Sequence, residues 1–223
     1  MSTPGNLVLV GASGMVGGHV LELALAHPQV ARVTAIGRRP LGIQHAKLRE
    51  VLHEDFADCR ELAPVLLEQD AALYCIGAYT GALTDAEFRR VTVDLTIEFA
   101  RVLHEHSPQA AFCFLSGQGA DPSEQSRVAF ARYKGMAENG LLRAGFARVH
   151  LFRPGYIFPV VPRREPNLFY RLLRVIYLVL RPVLPGLGIP SVDLARAMLR
   201  VALDGSLAGA AVERRRIAEL ARG

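Results

Sequence analysis

Three glycines that could hold a phosphate stand near the start of the chain, at positions 11, 14 and 17. They follow the apolar run Val8-Leu9-Val10 and precede a segment whose apolar residues recur at helical spacing. A turn without side chains at Gly11 and Gly14 lets backbone amides approach a pyrophosphate, and Gly17 lets the following helix pack closely on the strand. The alternative is that the glycines serve only the turn and the packing. The G-x-x-G-x-x-G spacing thus predicts a phosphate cradle made of Gly11, Ala12, Ser13, Gly14, Met15, Val16 and Gly17.

Two arginines, Arg38 and Arg39, follow the second apolar run, Arg32 to Gly37. A protein that selects NAD usually carries an acidic residue at this point, where it bonds the ribose hydroxyls. That acid is absent here, and a guanidinium group instead suits the 2′-phosphate of NADP. We therefore predict that Arg38, with Arg39 as a further candidate, gives a preference for NADP(H). The alternative is a solvated basic turn.

Further candidates for nucleotide contacts follow the next two apolar runs. Asp55 and Phe56 are placed to hydrogen-bond and flank an adenine. Ile76, Gly77 and Ala78 bring the backbone close to the nucleotide with little side-chain bulk. The order of these residues along the chain, rather than any one of them, indicates a dinucleotide site.

The strands that must position these residues alternate with helical segments, which is typical of a parallel sheet with helices on both faces. The apolar residues from Phe88 to Leu103 recur at helical spacing and predict an amphipathic helix on the sheet. The predicted fold class is therefore α/β, a doubly wound parallel sheet of the Rossmann type, in a single domain spanning residues 1–223. The predicted strands are Asn6 to Val10, Arg32 to Gly37, Glu50 to Glu54, Ala71 to Gly77, Ala110 to Ser116 and Ala147 to Arg153.

The composition changes after Arg153, where Pro and Arg become frequent, and we predict a small helical cap over about residues 156–190, before the C-terminal helices. Within it, Leu168 to Arg181 is largely apolar with three arginines on one helical stripe, and it is too short for a membrane span. Three interpretations remain open: a lid over a substrate pocket, a contact between two copies of the chain in a homodimer, and a helix in a membrane interface. The first two are favoured over the membrane surface. Glu213 to Ala221 predicts a solvated final helix.

Composition argues against several classes of partner. The formal net charge is +5, but the basic residues are scattered and are not interleaved with aromatic residues, so nucleic acid is not expected. Cys59, Cys75 and Cys113 are too few and too widely spaced for a disulfide framework or a CxxC metal site, and no metal is predicted. The first residues lack the pattern of a secretory signal. We therefore predict a location in the reducing cytoplasm.

Several short motifs in a fixed order carry a family resemblance. They are Gly11 to Gly17, Ile36-Gly37-Arg38-Arg39, Asp55-Phe56, Cys75-Ile76-Gly77, Leu115 to Asp121, Lys134-Gly135 and Phe152-Arg153-Pro154-Gly155. Together they resemble the atypical short-chain dehydrogenases, especially the Tat-interacting-protein group, over nearly the whole chain. The resemblance implies a Rossmann fold that binds NADPH across the carboxyl ends of the strands. It also implies an active Tyr and Lys on the helix after the fifth strand.

The chain departs from the Tyr-x-x-x-Lys arrangement of that family. There the two side chains sit one helical turn apart, so that the ammonium group binds ribose hydroxyls and lowers the pKa of the phenol. If Lys134 is the family lysine, the tyrosine position is occupied by Phe130, which has no proton to give. Tyr133 is adjacent, but neighbouring helical residues point about 100° apart. Ser116 stands near the position of the assisting serine, with Gly117 where relatives often carry a second one.

Ser116, Tyr133 and Lys134 are therefore the candidate catalytic residues, and Lys134 is also a candidate for binding the nicotinamide ribose. The alternatives are a strand-end cap for Ser116, a packed tyrosine and a solvent-facing lysine. The first functional hypothesis is an NADP(H)-binding oxidoreductase whose small-molecule substrate is unknown. The second is a protein that senses NADPH or acts as a scaffold without turnover, which the missing phenol favours. A membrane-peripheral assembly factor is the third.

Overall fold

The computed structural model describes residues 5–77, 83–161 and 188–222. The strands are β1 (Gly5–Val10), β2 (Val30–Gly37), β3 (Leu48–Leu52), β4 (Ala71–Tyr74), β5 (Ala111–Leu115), β6 (Arg148–Arg153), β7 (Tyr156–Phe158), β8 (Gly188–Pro190) and β9 (Ala210–Glu213). The α-helices are α1 (Met15–Ala26), α2 (Asp85–Arg89), α3 (Leu95–His106), α4 (Ala129–Arg143), α5 (Ser191–Leu203) and α6 (Arg214–Arg222). A 3-10 helix spans Arg60–Val65 and a π-helix spans Arg90–Asp94.

The main sheet has seven strands in the order β3-β2-β1-β4-β5-β6-β9, and every neighbouring pair runs parallel. The chain winds outward from β1 to β3, returns to β4, and then winds outward in the other direction. The strand order thus reverses between β1 and β4, where open α/β sheets form their ligand crevice at the carboxyl ends of the strands. The predicted doubly wound α/β class is confirmed.

All six predicted strands are present, with ends that differ by up to three residues from the prediction. The fourth strand ends at Tyr74 rather than Gly77, which leaves residues 75–77 free to form a loop at the carboxyl edge. A seventh strand, β9, was not predicted and pairs with β6. It directly precedes α6, whose span of Arg214–Arg222 lies close to the predicted final helix.

Helices cover both faces of the sheet, because the strands are apolar on both sides. Leu7 and Leu9 of β1 face the core cluster that contains α1, α5 and α6. Val8 and Val10 face the opposite cluster, which contains α3 and α4. Val10, the final residue of β1, is thus in the core, and the glycine turn follows it at the carboxyl edge of the sheet, where the other candidate site residues also lie.

The helix predicted over Phe88 to Leu103 exists but is not uniform. It runs from α2 through one π-helical turn into α3. Its start is fixed by a capping box in which Thr84 and Glu87 exchange side-chain and backbone hydrogen bonds. After the π turn, the Thr96 hydroxyl donates to the carbonyl oxygen of Thr92 at 2.9 Å. A π turn inserts one extra residue, so it changes which side chains of α2 face α4.

A small second sheet lies within the bounds of the predicted helical cap, about residues 156–190, and its two strands were not predicted. Strand β7 pairs in parallel with β8, and the residues between 161 and 188 separate them in the chain. The predicted helix from Leu168 to Arg181, and with it most of the cap, lies outside the described residues. Within the described ranges, no helix combines the length and the hydropathy needed to cross a membrane.

Candidate functional site

The glycine turn lies where β1 ends, beside the end of β4. Gly11 has a φ of +88°, in the left-handed region that favours glycine. A Cβ atom on Gly11 would lie 2.9 Å from the carbonyl carbon of Cys75, so a side chain at this position would collide with the backbone after β4. The amide of Gly14 closes the turn by donating to the carbonyl oxygen of Gly11 at 2.9 Å. The turn is therefore held by backbone contacts that a larger residue would break.

Helix α1 begins directly on this turn because Gly17 has no side chain. A Cβ atom on Gly17 would lie 2.1 Å from the carbonyl oxygen of Gly11, far inside contact distance. Gly14 caps the helix without a side-chain hydrogen bond, and the first helical turn contains no acidic residue. Backbone amides at a helix start beside a strand end are the arrangement that binds a pyrophosphate. Of the other four residues in the predicted cradle, Ala12 and Val16 are buried, Met15 is partly exposed and Ser13 is exposed.

Arg38 and Arg39 are exposed in the loop after β2. This loop starts beside the glycine turn, because Ile36 of β2 is paired with Val10 of β1. Neither guanidinium group has a hydrogen-bond or ion-pair partner among residues 5–77, 83–161 and 188–222. Two positive charges near the turn are thus open to an anionic ligand.

Asp55 and Phe56 differ in how open they are to a ligand. The Asp55 carboxylate is 69% exposed; it accepts the amide of Ala57 at 3.0 Å and lies 3.7 Å from the guanidinium group of Arg90. The Phe56 ring is only 5% exposed and meets the His53 ring edge to face at 5.3 Å. The Phe56 ring therefore packs in the core beneath the loop in this structure, and its contact with an adenine stays a prediction.

Beyond β4, residues 75–77 form a loop at the carboxyl edge, where the sequence predicted that the strand continues to Gly77. Ile76 is partly buried, and Gly77 is exposed, with open space where a side chain would be. The amide of Cys75 donates to the carbonyl oxygen of Val10 at 2.9 Å, which holds the start of this loop against the glycine turn. Ala78, the last candidate in this loop, lies outside the described residues.

Lys134 is buried in α4 and is not the solvent-facing lysine of the alternative interpretation. Its ammonium group donates to the carbonyl oxygen of Leu115 at 2.8 Å and lies 4.6 Å from the centre of the Phe114 ring. Burial lowers the pKa of Lys134 to about 8, and the negative charge of Glu138 partly opposes this shift. The ammonium group thus lies at the carboxyl end of β5. Its lowered pKa means that it loses its charge at a lower pH than an exposed lysine does.

Ser116 is turned away from the role predicted for it. Its hydroxyl donates to the carboxylate of Glu138 at 2.5 Å, and only 6% of the residue is exposed. Glu138 also accepts two hydrogen bonds from the guanidinium group of Arg153, one of them from Nε at 2.9 Å. The Ser116 hydroxyl is thus bound to a buried ion pair and does not present a proton to the edge of the sheet.

Tyr133 is likewise engaged inside the protein. Its hydroxyl donates to the Asp85 carboxylate at 2.5 Å and accepts from Arg132 at 3.2 Å, and its ring packs on Phe88 of α2. The residue is 5% exposed. These contacts favour the packed tyrosine of the alternative interpretation, because the helical offset from Lys134 directs the phenol toward α2, and the role of Tyr133 as a proton donor stays a prediction.

Phe130 and Gly117 face each other where the family arrangement would place two hydroxyl groups. A Cβ atom on Gly117 would lie 2.3 Å from the end of the Phe130 ring. The ring is partly buried and stacks on Phe88 at 6.5 Å between centres. The Phe130 ring thus occupies the space that a side chain at position 117 would need.

The sequence did not predict Glu138 and Arg153, whose charged side chains lie beside Ser116 at the carboxyl ends of β5 and β6. Glu138 and Arg153 form a buried ion pair, and Arg153 reaches Glu213 of β9 at 3.2 Å. One signal was available, because Glu138 follows Lys134 by four residues and so shares a helical face with it. The ion pair between Glu138 and Arg153 could not be predicted from the sequence, since it depends on how α4 packs against β6.

Two kinds of known protein are similar to this chain in sequence. Protein HTATIP2 of Rattus norvegicus is 30% identical over 197 residues, which cover 87% of this chain and 79% of the relative. The fungal protein fmp52, mitochondrial, of Emericella nidulans is 30% identical over 160 residues, which cover 68% of this chain and 66% of the relative. This chain thus spans slightly less than two thirds of the fungal protein. No model of a known protein family matches the chain.

Solved structures show the same fold at low sequence identity. The Bordetella bronchiseptica enzyme WbmH in complex with NAD+ has a TM-score of 0.69 and 19% identity, covering 94% of this chain and 74% of the enzyme. A putative NAD-dependent epimerase/dehydratase from Bacillus halodurans has a TM-score of 0.68 and 16% identity, covering 98% and 99%. The chain therefore shares the fold of these two proteins.

The predicted location requires a correction. Several of the fungal relatives are named as mitochondrial proteins, which contradicts the prediction of a cytoplasmic protein. That prediction relied on cysteine content and on the lack of a secretory pattern. Neither property distinguishes the cytoplasm from other compartments in which thiols stay reduced.

Proposed function

This chain belongs to the atypical short-chain dehydrogenase family, in the group that includes HTATIP2, and from that we propose that it is an oxidoreductase-like protein that binds NADP(H) in preference to NAD(H). The observation that carries the proposal is that the glycine turn lies beside the guanidinium groups of Arg38 and Arg39, which have no hydrogen-bond or ion-pair partner in the part of the chain that the structure describes. The turn suits a pyrophosphate, and the guanidinium groups suit a 2′-phosphate.

The fit of the dinucleotide is argued from this chain's own residues. A Cβ atom on Gly11 or Gly17 would collide with this chain's own backbone, and one on Gly14 would lie 3.0 Å from the carbonyl oxygen of Gly11. The turn therefore has the tight form without side chains that suits a pyrophosphate. Arg38 and Arg39 would hold the 2′-phosphate, Asp55 would bond the adenine, and Lys134 would bond the ribose nearest the nicotinamide. When bound, the nicotinamide supplies or accepts a hydride.

A second candidate function is supported by the contacts around Lys134. Ser116 and Tyr133 donate their protons to carboxylates within the protein, and Phe130 replaces the phenol. Carbonyl reduction needs a proton for the developing alkoxide. We therefore keep the NADPH-sensing or scaffold protein as the alternative, in which binding changes the protein's interactions without turnover.

Calorimetric titration with NADPH and with NADH tests the binding proposal. We expect the native protein to prefer NADPH and Arg38→Ala to weaken NADPH by about tenfold or more, the worth of a charge-assisted hydrogen bond, while NADH affinity changes little. Arg49→Ala is the matched control, since it removes an exposed arginine from β3 with the same loss of charge. Equal effects of the two variants would show that only the general positive charge acts. No binding of either nucleotide would refute the proposal.

The two candidate functions are separated by Phe130→Tyr. A positioned general acid contributes about 100-fold to 10,000-fold to a rate. If the chain is a scaffold that has lost the acid, Phe130→Tyr should oxidise NADPH in the presence of a panel of carbonyl compounds that the native protein leaves unreduced. If the native protein already reduces one of them at a rate that Phe130→Tyr does not raise, its chemistry does not depend on a phenol at this position.

A further inference from the structure

A chain of polar contacts joins three strand ends below the proposed site. Glu138 of α4 is 1% exposed. Its carboxylate accepts hydrogen bonds from Ser116, at the end of β5, and from Arg153, at the end of β6. Arg153 also donates to Glu213 at the end of β9 at 3.2 Å. A buried carboxylate with this many donors is costly to assemble and costly to disrupt, because the loss of one partner leaves the others unsatisfied.

Glu138 also lies on the same face of α4 as Lys134, one helical turn later. The two groups make no direct ion pair within 4 Å among the described residues, and the ammonium group donates to Leu115 instead. Their charges nevertheless interact, since Glu138 favours the charged form of Lys134 against the effect of burial. Glu138 therefore serves two sets of contacts: the strand ends directly, and the ammonium group through its charge.

Lysine is rare in this protein, which makes its placement at position 134 informative. The sequence has 26 basic residues of the Lys and Arg types, and only Lys47 and Lys134 are lysines. Burying an amine allows its charge to depend on its surroundings, whereas a guanidinium group stays charged. The position next to Leu115 is thus occupied by a basic residue whose charge a neighbouring carboxylate can control.

We infer that Glu138 is a positioning residue of the proposed dinucleotide site: its buried carboxylate fixes the ends of β5 and β6 and provides the counter-charge for the Lys134 ammonium group. The inference rests on the proposed function for its consequence, which is that nucleotide affinity depends on Glu138 although Glu138 itself contacts no nucleotide. A purely structural role would affect folding and leave the charge of Lys134 unchanged.

The electrostatic surroundings of Lys134 come from several elements. Glu138 is the carboxylate nearest in sequence on α4, and the positive Arg153 lies behind it on β6. Tyr133 points toward α2, where its partner Asp85 lies, on another side of α4. Within the described ranges, this region is also faced by Tyr74 of β4, against the Phe114 ring, by Ser116 directly after β5, and by Glu213 of β9.

The titration of Lys134 by NMR tests the inference without any nucleotide. Labelling lysine with carbon-13 next to the amine gives two side-chain signals, and that of Lys47 serves as an internal reference. We expect the native Lys134 signal to titrate near pH 8. Glu138→Gln should move the midpoint to lower pH by about one unit or more, because a neighbouring opposite charge is lost. Glu213→Gln is the matched control, since it removes a carboxylate that reaches Lys134 only through Arg153, and it should leave the midpoint nearly unchanged.

A second variant covers the case in which Glu138→Gln does not fold. Arg153→Gln removes a positive charge and releases the Glu138 carboxylate from its main partner, so it should move the Lys134 midpoint to higher pH. Opposite shifts in the two variants support the inference. If either variant folds and leaves the midpoint where it is in the native protein, Glu138 has only a structural role and the inference is overturned.

The nucleotide measurement separates the inference from the proposed function. NADPH affinity of the native protein should fall about tenfold as the pH rises past the Lys134 midpoint, because a charge-assisted hydrogen bond is lost. In Glu138→Gln the same fall should begin at lower pH. If NADPH binds with an affinity that does not follow the Lys134 titration, the inference fails and the proposed function stands. If the native protein binds no dinucleotide, the proposed function fails, and the NMR shifts still decide the electrostatic role of Glu138.

Discussion

The contact between Gly17 and Gly11 gives a sharp prediction, because Gly18 provides a control one residue away in the same helix. In Gly17→Ala the new methyl group would lie 2.1 Å from the carbonyl oxygen of Gly11, and α1 would have to move by about 1 Å or more to relieve the overlap. Overpacking of this kind costs about 1–3 kcal/mol of stability. In Gly18→Ala the methyl group would lie 3.4 Å from the carbonyl oxygen of Ala12, and the better helix propensity of Ala adds up to about 1 kcal/mol.

Urea denaturation and calorimetric titration with NADPH measure the two consequences separately. Gly17→Ala should unfold at lower urea and lose most of its nucleotide affinity, because the displaced helix carries the first-turn amides away from the turn. Gly18→Ala should be as stable as the native protein or more stable, and should bind normally. Equal stability of the two variants would refute the claim that the helix rests directly on the turn. A destabilised Gly17→Ala that binds normally would show that the turn is not where the pyrophosphate lies.

Two further predictions concern the buried polar residues of α4. Tyr133→Phe removes the hydrogen bond to Asp85 and should lower the free energy of unfolding by about 1 kcal/mol while NADPH affinity stays unchanged; weakened binding would instead place the phenol at the nucleotide. The pKa of Lys134 falls from 10.5 to about 8 on folding. Between pH 8 and pH 10.5 the unfolded chain therefore binds more protons than the folded protein. The contribution of Lys134 to the free energy of unfolding thus rises with pH in this range. Urea denaturation gives the free energy of unfolding of Lys134→Met and of the native protein at each pH. The value for Lys134→Met minus the native value should be largest below pH 8 and should fall toward pH 10.5. A difference that does not change with pH would contradict the shifted pKa.

The strands and the glycine turn could be predicted from sequence because their signals are local. Continuous apolar runs mark strands that are buried on both faces, and the glycine spacing reflects backbone contacts within a few residues. Strand β9 was missed because Ala210–Glu213 is short and has little β-branched character, so that pairing with β6 decides its conformation. The π turn within the predicted helix was missed for a similar reason, since one inserted residue leaves the apolar pattern nearly intact.

Side-chain orientation was the part of the site that the sequence could not show. Ser116 and Tyr133 have suitable hydroxyl groups at suitable positions, yet their partners Glu138 and Asp85 lie 22 and 48 residues away in the chain. Phe56 follows a strand, as expected of a residue at the adenine, but the fold turns its ring inward against His53. For Ser116 and Tyr133 a long-range contact decides the direction of the side chain, and for Phe56 the local packing of the loop after β3 decides it. Periodicity carries no information about either.

The parallel pairing of β7 with β8 bears on how proteins of this kind can diverge. Tyr156 is held opposite Gly188, so the two ends of the stretch between these strands are fixed close together, apart from the seven-stranded sheet. The entropy lost in closing a loop grows slowly with its length, by about 0.6 kcal/mol for each doubling. The closure term therefore changes little with the number of residues between β7 and β8, as long as the pairing of Tyr156 with Gly188 is kept. The pairing thus fixes where this stretch leaves and rejoins the fold, whatever its length.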